Sequence, residues 1–409
     1  AMVEFYNEQE NGIYRLEKNF QMSSQSKQIV ERHWRKWLCN KYPGTIPDSV
    51  KKELNERKLS EAPLPSVSSG KMFKSDWSLF WFDKVVSNNK WCEKQLRDAG
   101  YPGLVTCGYT SNLIHCAARW ETSQITDNHK YFCHPSNWFR QGSKVRQYSS
   151  IEKATGYWRE GNSAKLAGRP FMVGEYNHVF WNPYRYEGGM VFSAYSALQG
   201  YCAILVHERP VQLNMKKYYG TPFDIGPSSV VRASQFLSAC LFQREDLRSS
   251  RNLVCLEIPK KFLETNGNIR RAISSEQSKL GLITGLGLSF SWLPAAKGTA
   301  PVKAGMTIYP TGSAEVKTHG WFSEVLDSTN EASYLDQTVA QMKERGILPK
   351  DNISKPSAGV FQSDTGEIEL RSREKLMKVV TPRTEGVCLT AGKSEKLGLV
   401  TVKKTSADA

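Results

Sequence analysis

Short apolar runs alternate along the first 245 residues with stretches in which apolar side chains recur every three or four positions. The recurring stretches predict amphipathic helices, such as 26–42 and a long helix from a Ser75-Asp76 cap to about Ala99. Strands and helices that alternate in this way favour a parallel sheet. The apolar runs predict strands at 1–7, 103–107, 124–129, 170–174 and 201–206.

The most informative window is 169–207. An apolar run at 171–173 predicts a strand buried on both faces, Gly174 ends the run, and Glu175 follows at once. Rings and amides come next, then a predicted helix at 187–198 and another apolar strand. In an α/β barrel the chemistry lies at the C-terminal ends of such strands, which makes Glu175 a candidate catalytic carboxylate. A solvated loop carboxylate is the alternative that this window leaves open.

The pattern changes from about residue 251. Short β-rich runs appear, with a tight turn at Asp364-Thr365-Gly366 and a helix at about 333–346. We therefore expect two domains: 1–245, an α/β domain, and 246–409, a mainly β domain.

Composition limits the partners and the compartment. The net charge of +15 suits RNA, a membrane surface or an acidic glycan, but the basic residues are scattered and form no nucleic-acid motif. An organelle or proteome that is generally basic would account for the charge equally well. No apolar run approaches the length of a membrane span. Nine cysteines without a Cys-x-x-Cys pair predict buried thiols in a reducing compartment, either cytoplasm or an organelle matrix.

Several ordered motifs resemble the clan A glycoside hydrolases, in a branch similar to bacterial cellulases and agarases. These are (β/α)8 barrel enzymes with an Asn-Glu pair after the fourth strand and a Glu after the seventh. The resemblance extends through most of the chain. It is carried by Asn7-Glu8, the helix at 34–42, Asp127-Asn128-His129, His134-Pro135, Glu175–His178, Arg185–Gly188, 363–368 and Thr381-Pro382-Arg383.

The resemblance implies a retaining O-glycoside hydrolase of a poly- or oligosaccharide, with Glu8 as acid/base and Glu175 as nucleophile. Asn7 would bind a sugar hydroxyl, and His129 would orient Glu175 or bind a hydroxyl. We expect no metal, because His129 and His134 lack an obvious third ligand, and no cofactor. The expected sugar-subsite residues are Tyr176, Asn177, His178 and Trp181.

The resemblance also implies a partial barrel, the fourth to eighth β/α units, followed by the β-rich domain. Five units leave an open sheet, so we expect a second polypeptide to supply the missing strands. Two alternatives remain: a non-catalytic structural subunit of a large assembly derived from a glycoside hydrolase, and a module that binds carbohydrate without hydrolysing it.

Overall fold

The computed structural model describes residues 2–8, 22–108, 111–138, 140–207, 209, 221–266, 272–300, 306–308 and 331–405. The chain forms two compact units. Unit 1 consists of Ala1–Gln124, Ile258–Ala272 and Phe290–Thr299; unit 2 consists of Ile125–Glu257, Ile273–Ser289 and Ala300–Ala409. These units are defined by compactness, and the predicted boundary near residue 245, which follows composition, stays a prediction.

Unit 1 is mainly helical. Ser23 caps its first helix, since the Ser23 hydroxyl accepts from the Ser26 N–H at 3.2 Å. The fully buried Trp34 lies at the centre of the helical core, with its indole N–H donating to Pro63 O at 2.9 Å and its ring edge-on to Phe73. The elements of unit 1 are β1 (Met2–Glu4), α1 (Ser24–Lys41), α2 (Asp48–Leu54), α3 (Lys71–Asp98), β2 (Leu104–Thr106), α4 (Leu113–Thr122) and α8 (Lys260–Asn266).

Two predictions about unit 1 have clear outcomes. Strand β1 pairs with β2 in parallel, as the alternating pattern predicts. The predicted cap of α3 at Ser75-Asp76 is wrong, because α3 begins at Lys71. Asp76 lies buried inside the helix, where it accepts hydrogen bonds from Lys41 Nζ at 2.5 Å and Tyr42 OH at 2.8 Å. The tryptophans of α1 serve packing: Trp34 stacks on Trp37 at 5.6 Å.

Unit 2 contains two parallel sheets. In the first, β4 is central between β3 and β5; in the second, β6 is central between β7 and β8. The long connections that parallel pairing needs carry the helices. The elements are β3 (Thr126–Phe132), α5 (Gly156–Asn162), β4 (Phe171–His178), α6 (Glu187–Leu198), β5 (Ala203–Val206), α7 (Ser229–Ser238) with a π-helical turn at Ala239–Gln243, β6 (Leu253–Glu257), β7 (Gly285–Ser289) and β8 (Met306–Ile308).

The C-terminal part of unit 2 is antiparallel. Four strands form a meander in the order β12-β11-β10-β9, and β13 pairs with β14. Gly366 has φ of +75°, which the tight turn between β9 and β10 requires. The elements are α9 (Glu331–Glu344), β9 (Val360–Gln362), β10 (Ile368–Arg371), β11 (Leu376–Val380), β12 (Glu385–Cys388), β13 (Ser394–Lys396) and β14 (Thr401–Lys403).

The fold is therefore mixed α/β with parallel sheets and a β-rich C-terminal region, as predicted. The five predicted strands are present, but they lie in a two-stranded sheet in unit 1 and a three-stranded sheet in unit 2. The predicted partial barrel built from these five strands is therefore not shown. Within the described ranges, no helix is both long and apolar enough to cross a bilayer. All nine cysteines are free thiols.

Candidate active site

Strand β4 continues past the predicted stop at Gly174. The apolar run Phe171–Val173 is buried between β3 and β5, and the strand extends to His178. Strand β3 is also longer than predicted and ends at Phe132. Glu175 and His129 therefore lie within strands, and they pair with each other in the parallel register.

A β-bulge at Gly174 decides which way Glu175 faces. Val173 pairs with Asn128, but the next pair joins Glu175 to His129, so Gly174 is an extra residue in β4. Against β5, strand β4 also has one extra residue between Val173 and Tyr176. Because paired residues in a parallel sheet point to the same face, the bulge turns Glu175 toward the face that carries His129. Without it, Glu175 would share a face with Val173.

One face of the sheet is consequently rich in polar groups. Asp127, His129 and Tyr131 alternate along β3, and the register adds Glu175 and Asn177 of β4. We call these five residues the polar face.

Glu175 is held by two of its neighbours on this face. The Tyr131 hydroxyl donates a short hydrogen bond to Glu175 Oε2, and His129 Nδ1 lies 3.6 Å from the same oxygen. On its other side, His129 Nε2 lies 3.4 Å from Asp127 Oδ2. Asp127 is itself fixed by the Gly174 N–H, which donates to its Oδ1 at 2.7 Å. The glutamate carboxylate thus has a set orientation, yet its side chain stays 22% exposed.

Aromatic side chains flank this carboxylate. Tyr131 has edge-on ring contacts with His207 at 6.1 Å, with His134 at 6.0 Å and with Phe223 at 5.2 Å. The exposed Trp138 lies edge-on to His134 at 4.6 Å. We call His134, Trp138, His207 and Phe223 the aromatic wall. A carboxylate beside exposed rings suits a ligand that has both apolar ring faces and polar groups.

Asn177 supports the aromatic wall. Its amide nitrogen donates to the backbone oxygens of His207 and, at 2.8 Å, of Phe223. This ties two wall residues to β4. Since the N–H groups are used in this way and the side chain is buried, Asn177 acts through the wall in this geometry, and its predicted role in reading sugar hydroxyls is not supported.

Tyr176 and His178 lie on the opposite face of the sheet. Tyr176 stacks on Phe192 of α6 at 4.0 Å, and its hydroxyl donates to Gln235 Oε1 at 3.0 Å. His178 is packed against Phe132 and Tyr157, and burial lowers its pKa to about 3. Both are buried, so their positions do not support the predicted role in lining a sugar cleft.

The remaining predicted residues are exposed. Trp181 follows β4 with φ of +76° and is half-exposed, and Gln147 Nε2 donates to its backbone oxygen at 3.2 Å. In unit 1, Asn7 and Glu8 follow β1, both are exposed, and Glu8 has φ of +44°. A non-glycine residue with positive φ at a strand end is uncommon.

Sequence reasoning missed Tyr131 as a site residue. The signal was present, because Asp127, His129 and Tyr131 are spaced two apart and a strand reaching Phe132 would place them on one face. Phe223 and Trp138 carried no such signal, since loops far apart in the chain bring them to the wall.

No protein-family model matches the chain, and no curated protein matches it. Among solved structures, it is similar to the cold-adapted β-galactosidase from Rahnella sp. R3, with a TM-score of 0.42 and 14% identity. The similarity covers 66% of this chain and 43% of that one, so the chain spans less than half the length of that glycoside hydrolase. Similarity at this level assigns the chain to no family.

Proposed function

We propose that the chain is a retaining O-glycoside hydrolase that acts on a poly- or oligosaccharide, with Glu175 as nucleophile and Glu8 as acid/base. The observation that carries the proposal is the setting of Glu175, which a bulge turns onto the polar face and which Tyr131 and His129 hold beside exposed rings. Glu175 differs from a buried structural carboxylate because its side chain is partly exposed, and it differs from a solvated loop carboxylate because Tyr131 and His129 hold it.

The proposed chemistry follows from two carboxyl groups. Glu175 attacks the anomeric carbon while the glycosidic C–O bond breaks and the leaving oxygen takes the proton of Glu8. Water, deprotonated by Glu8, then releases the sugar from Glu175 with retention. This mechanism requires the two carboxyl groups to come within about 5–5.5 Å of each other.

The neighbours of Glu175 have defined parts in this proposal. The Tyr131 hydroxyl stabilises the ionised carboxylate and sets its orientation, which favours attack from one direction. His129 fixes the other side of the same oxygen. Exposed rings of the aromatic wall would contact a pyranose face, and Asn7 would bind a hydroxyl near the reacting carbon. The proposal retains the second polypeptide as the supplier of further barrel strands.

The test uses the protein in its native assembly. Activated 2-deoxy-2-fluoro glycosides should label Glu175 covalently, and peptide mass spectrometry locates the label. Turnover of aryl glycosides and soluble polysaccharides should fall by roughly 10³-fold or more in E175Q, because an amide cannot form the glycosyl intermediate. E344Q, which alters an exposed carboxylate of α9, is the matched control and should retain full turnover.

Tyr131→Phe separates orientation from nucleophilicity. It should lower kcat by roughly 10- to 100-fold, a loss of one charge-assisted hydrogen bond, while the label still forms on Glu175. Turnover in E175Q equal to that of the unmodified protein would refute the assignment. Absence of both labelling and turnover with every glycoside would favour the non-catalytic structural subunit. Calorimetric binding of a saccharide without product would favour the binding module.

A further inference from the structure

A cavity lies in unit 2, at the N-terminal ends of strands β4, β6 and β7. It has a volume of about 440 Å³ and is bordered by the residues just before β4 and β6 and by the first residues of β6 and β7. Glu175 lies four residues beyond the start of β4, roughly 13 Å further along the strand. The cavity is therefore separate from the candidate active site.

The described residues that line this cavity carry positive charge and no negative charge. Lys165, Arg169 and Arg251 are among its residues, and within the described ranges no aspartate or glutamate lines it. Lys165 and Arg169 are 9% and 8% exposed, respectively, and Arg251 is exposed at the rim. Burying the Lys165 ammonium group is costly unless a negative group accompanies it.

Among the described residues, the Lys165 ammonium group donates hydrogen bonds to neutral oxygens only. Its Nζ donates to Gln199 O at 2.5 Å and to Gln199 Oε1 at 3.3 Å. In the part of the chain that the structure describes, no carboxylate forms an ion pair with it. Burial lowers the pKa of Lys165 to about 8, so the ammonium group is still mostly charged at neutral pH.

A structural role accounts for part of this arrangement. Gln199 follows the last residue of α6, so Lys165 satisfies a carbonyl at a helix C-terminus, where a cation is favourable. The Gln199 side chain is fixed, since Nε2 donates to Gly281 O at 2.9 Å and Oε1 accepts from Leu286 N at 2.9 Å. A helix end offers only about half a negative charge, and it does not explain why Arg251 borders the same cavity.

The rim is held in place by its own hydrogen bonds. Ser250 Oγ accepts from Gly285 N at 2.9 Å and donates to Asp364 Oδ2 at 2.6 Å. Asp364 lies behind Ser250, outside the lining, and burial raises its pKa. Arg248 is engaged by Glu367 at 2.7 Å, whereas Arg251 forms no ion pair with any carboxylate in the described ranges. The Arg248 guanidinium, which lies outside the lining, is thus held by a carboxylate, whereas the exposed Arg251 guanidinium at the rim is available to a ligand.

We propose that this cavity binds a tetrahedral oxyanion, a phosphate or sulfate group, with Lys165 and Arg251 as its cationic contacts. Arginine matches the oxygens of such an anion with paired N–H donors, and lysine supplies a compact point charge. The volume exceeds what a free ion needs, so the oxyanion can also be carried by a small organic molecule. The proposal does not depend on the glycosidase activity.

The experiment titrates the native protein with inorganic phosphate by calorimetry, with sodium chloride at equal ionic strength as the control for screening. Glycerol 3-phosphate and glycerol form the second arm. Saturable phosphate binding that chloride does not reproduce supports the proposal. Tighter binding of glycerol 3-phosphate would identify an organic phosphate as the ligand, and equal affinity would identify the free ion.

Substitutions of the cationic cavity residues test whether phosphate binds in this cavity. R251Q should weaken phosphate binding at least tenfold, while R232Q, which removes an exposed arginine on α7, should leave it unchanged. K165M should also weaken binding at least tenfold, and R251Q decides the question if K165M does not fold. Phosphate binding that R251Q leaves at full strength, or heats no larger than those of chloride, would overturn the proposal. E175Q should bind phosphate normally, so this result is independent of the catalytic assignment.

Discussion

Substituting Gly174 by alanine tests the reason why Glu175 faces the polar side of its sheet. A Cβ atom at this position would lie 2.6 Å from Asp127 Oδ2 and 3.1 Å from His129 Nε2. Gly174 does not have a left-handed φ, so alanine meets no backbone strain of that kind. The cost of G174A is therefore a steric conflict with Asp127 and His129 of the neighbouring strand β3.

The magnitude can be worked from these contacts. Overpacking of this kind costs about 1–3 kcal/mol of unfolding free energy. Moving Asp127 away also weakens its hydrogen bond from Gly174 N, now 2.7 Å, which is worth about 1.5–3 kcal/mol as a bond to a charged group. Alanine lowers the entropy of the unfolded chain, which returns about 0.4–1 kcal/mol. We expect a net destabilisation of about 1.5–5.5 kcal/mol.

Urea unfolding followed by circular dichroism measures this difference. G44A is the matched control, because Gly44 is exposed and a Cβ there would meet no atom within 4 Å. It should change the unfolding free energy by less than about 0.5 kcal/mol, or stabilise slightly.

A double-mutant cycle identifies the clashing partner. In a D127S background the carboxylate is gone, so G174A should cost at least about 1 kcal/mol less than it does alone. Equal costs of G174A in both backgrounds, or a single G174A variant as stable as the unmodified protein, would refute the predicted clash with Asp127. Turnover in G174A should fall as well, because the bulge orients Glu175.

Two further predictions concern buried groups around the same sheet. The Glu187 carboxylate accepts hydrogen bonds from Ser149 Oγ at 2.6 Å, from Ser150 N at 2.8 Å and Oγ at 2.6 Å, and from Ile151 N at 3.3 Å. E187A should therefore lower the free energy of unfolding in urea by about 3–5 kcal/mol, and E187Q should lower it clearly less. Equal losses in the two variants would contradict the role of these hydrogen bonds. His178 has a pKa of about 3 in the folded state against 6.5 in the unfolded chain, so the free energy of unfolding falls as the pH drops from 6.5 toward 3. H178L should remove up to about 1.4 kcal/mol of this loss per pH unit. A free energy of unfolding that depends on pH equally in H178L and in the unmodified protein would contradict this prediction.

Local patterns were sufficient to locate several elements of the first 245 residues, but not all of their ends. Apolar runs predicted β1 to β5, and helical periodicity predicted α1 and α6, because each signal depends on residues only a few positions apart. Polar signals near element ends were less reliable. Ser75-Asp76 reads as a helix cap, yet Asp76 is buried in α3 because Lys41 and Tyr42 of another segment satisfy its carboxylate.

The polar face was only partly accessible from the sequence. Glu175 and His129 were found as polar groups next to apolar runs. Tyr131 was missed because the predicted strand ended at residue 129, two positions too early to include it. Asn177 was predicted to bind sugar hydroxyls, but its amide group donates hydrogen bonds to two backbone oxygens of the aromatic wall.

Residues 171–178 show most clearly which features follow from the local sequence and which follow only from the tertiary structure. Their apolar run and the carboxylate after it are enough to predict a buried strand with a candidate catalytic group. The strand's register against β3 and β5 decides the rest: the bulge at Gly174 puts Glu175 beside His129 and leaves Tyr176 and His178 in the interior. A one-residue shift reverses the face of every following side chain, and only the pairing with distant strands selects that shift.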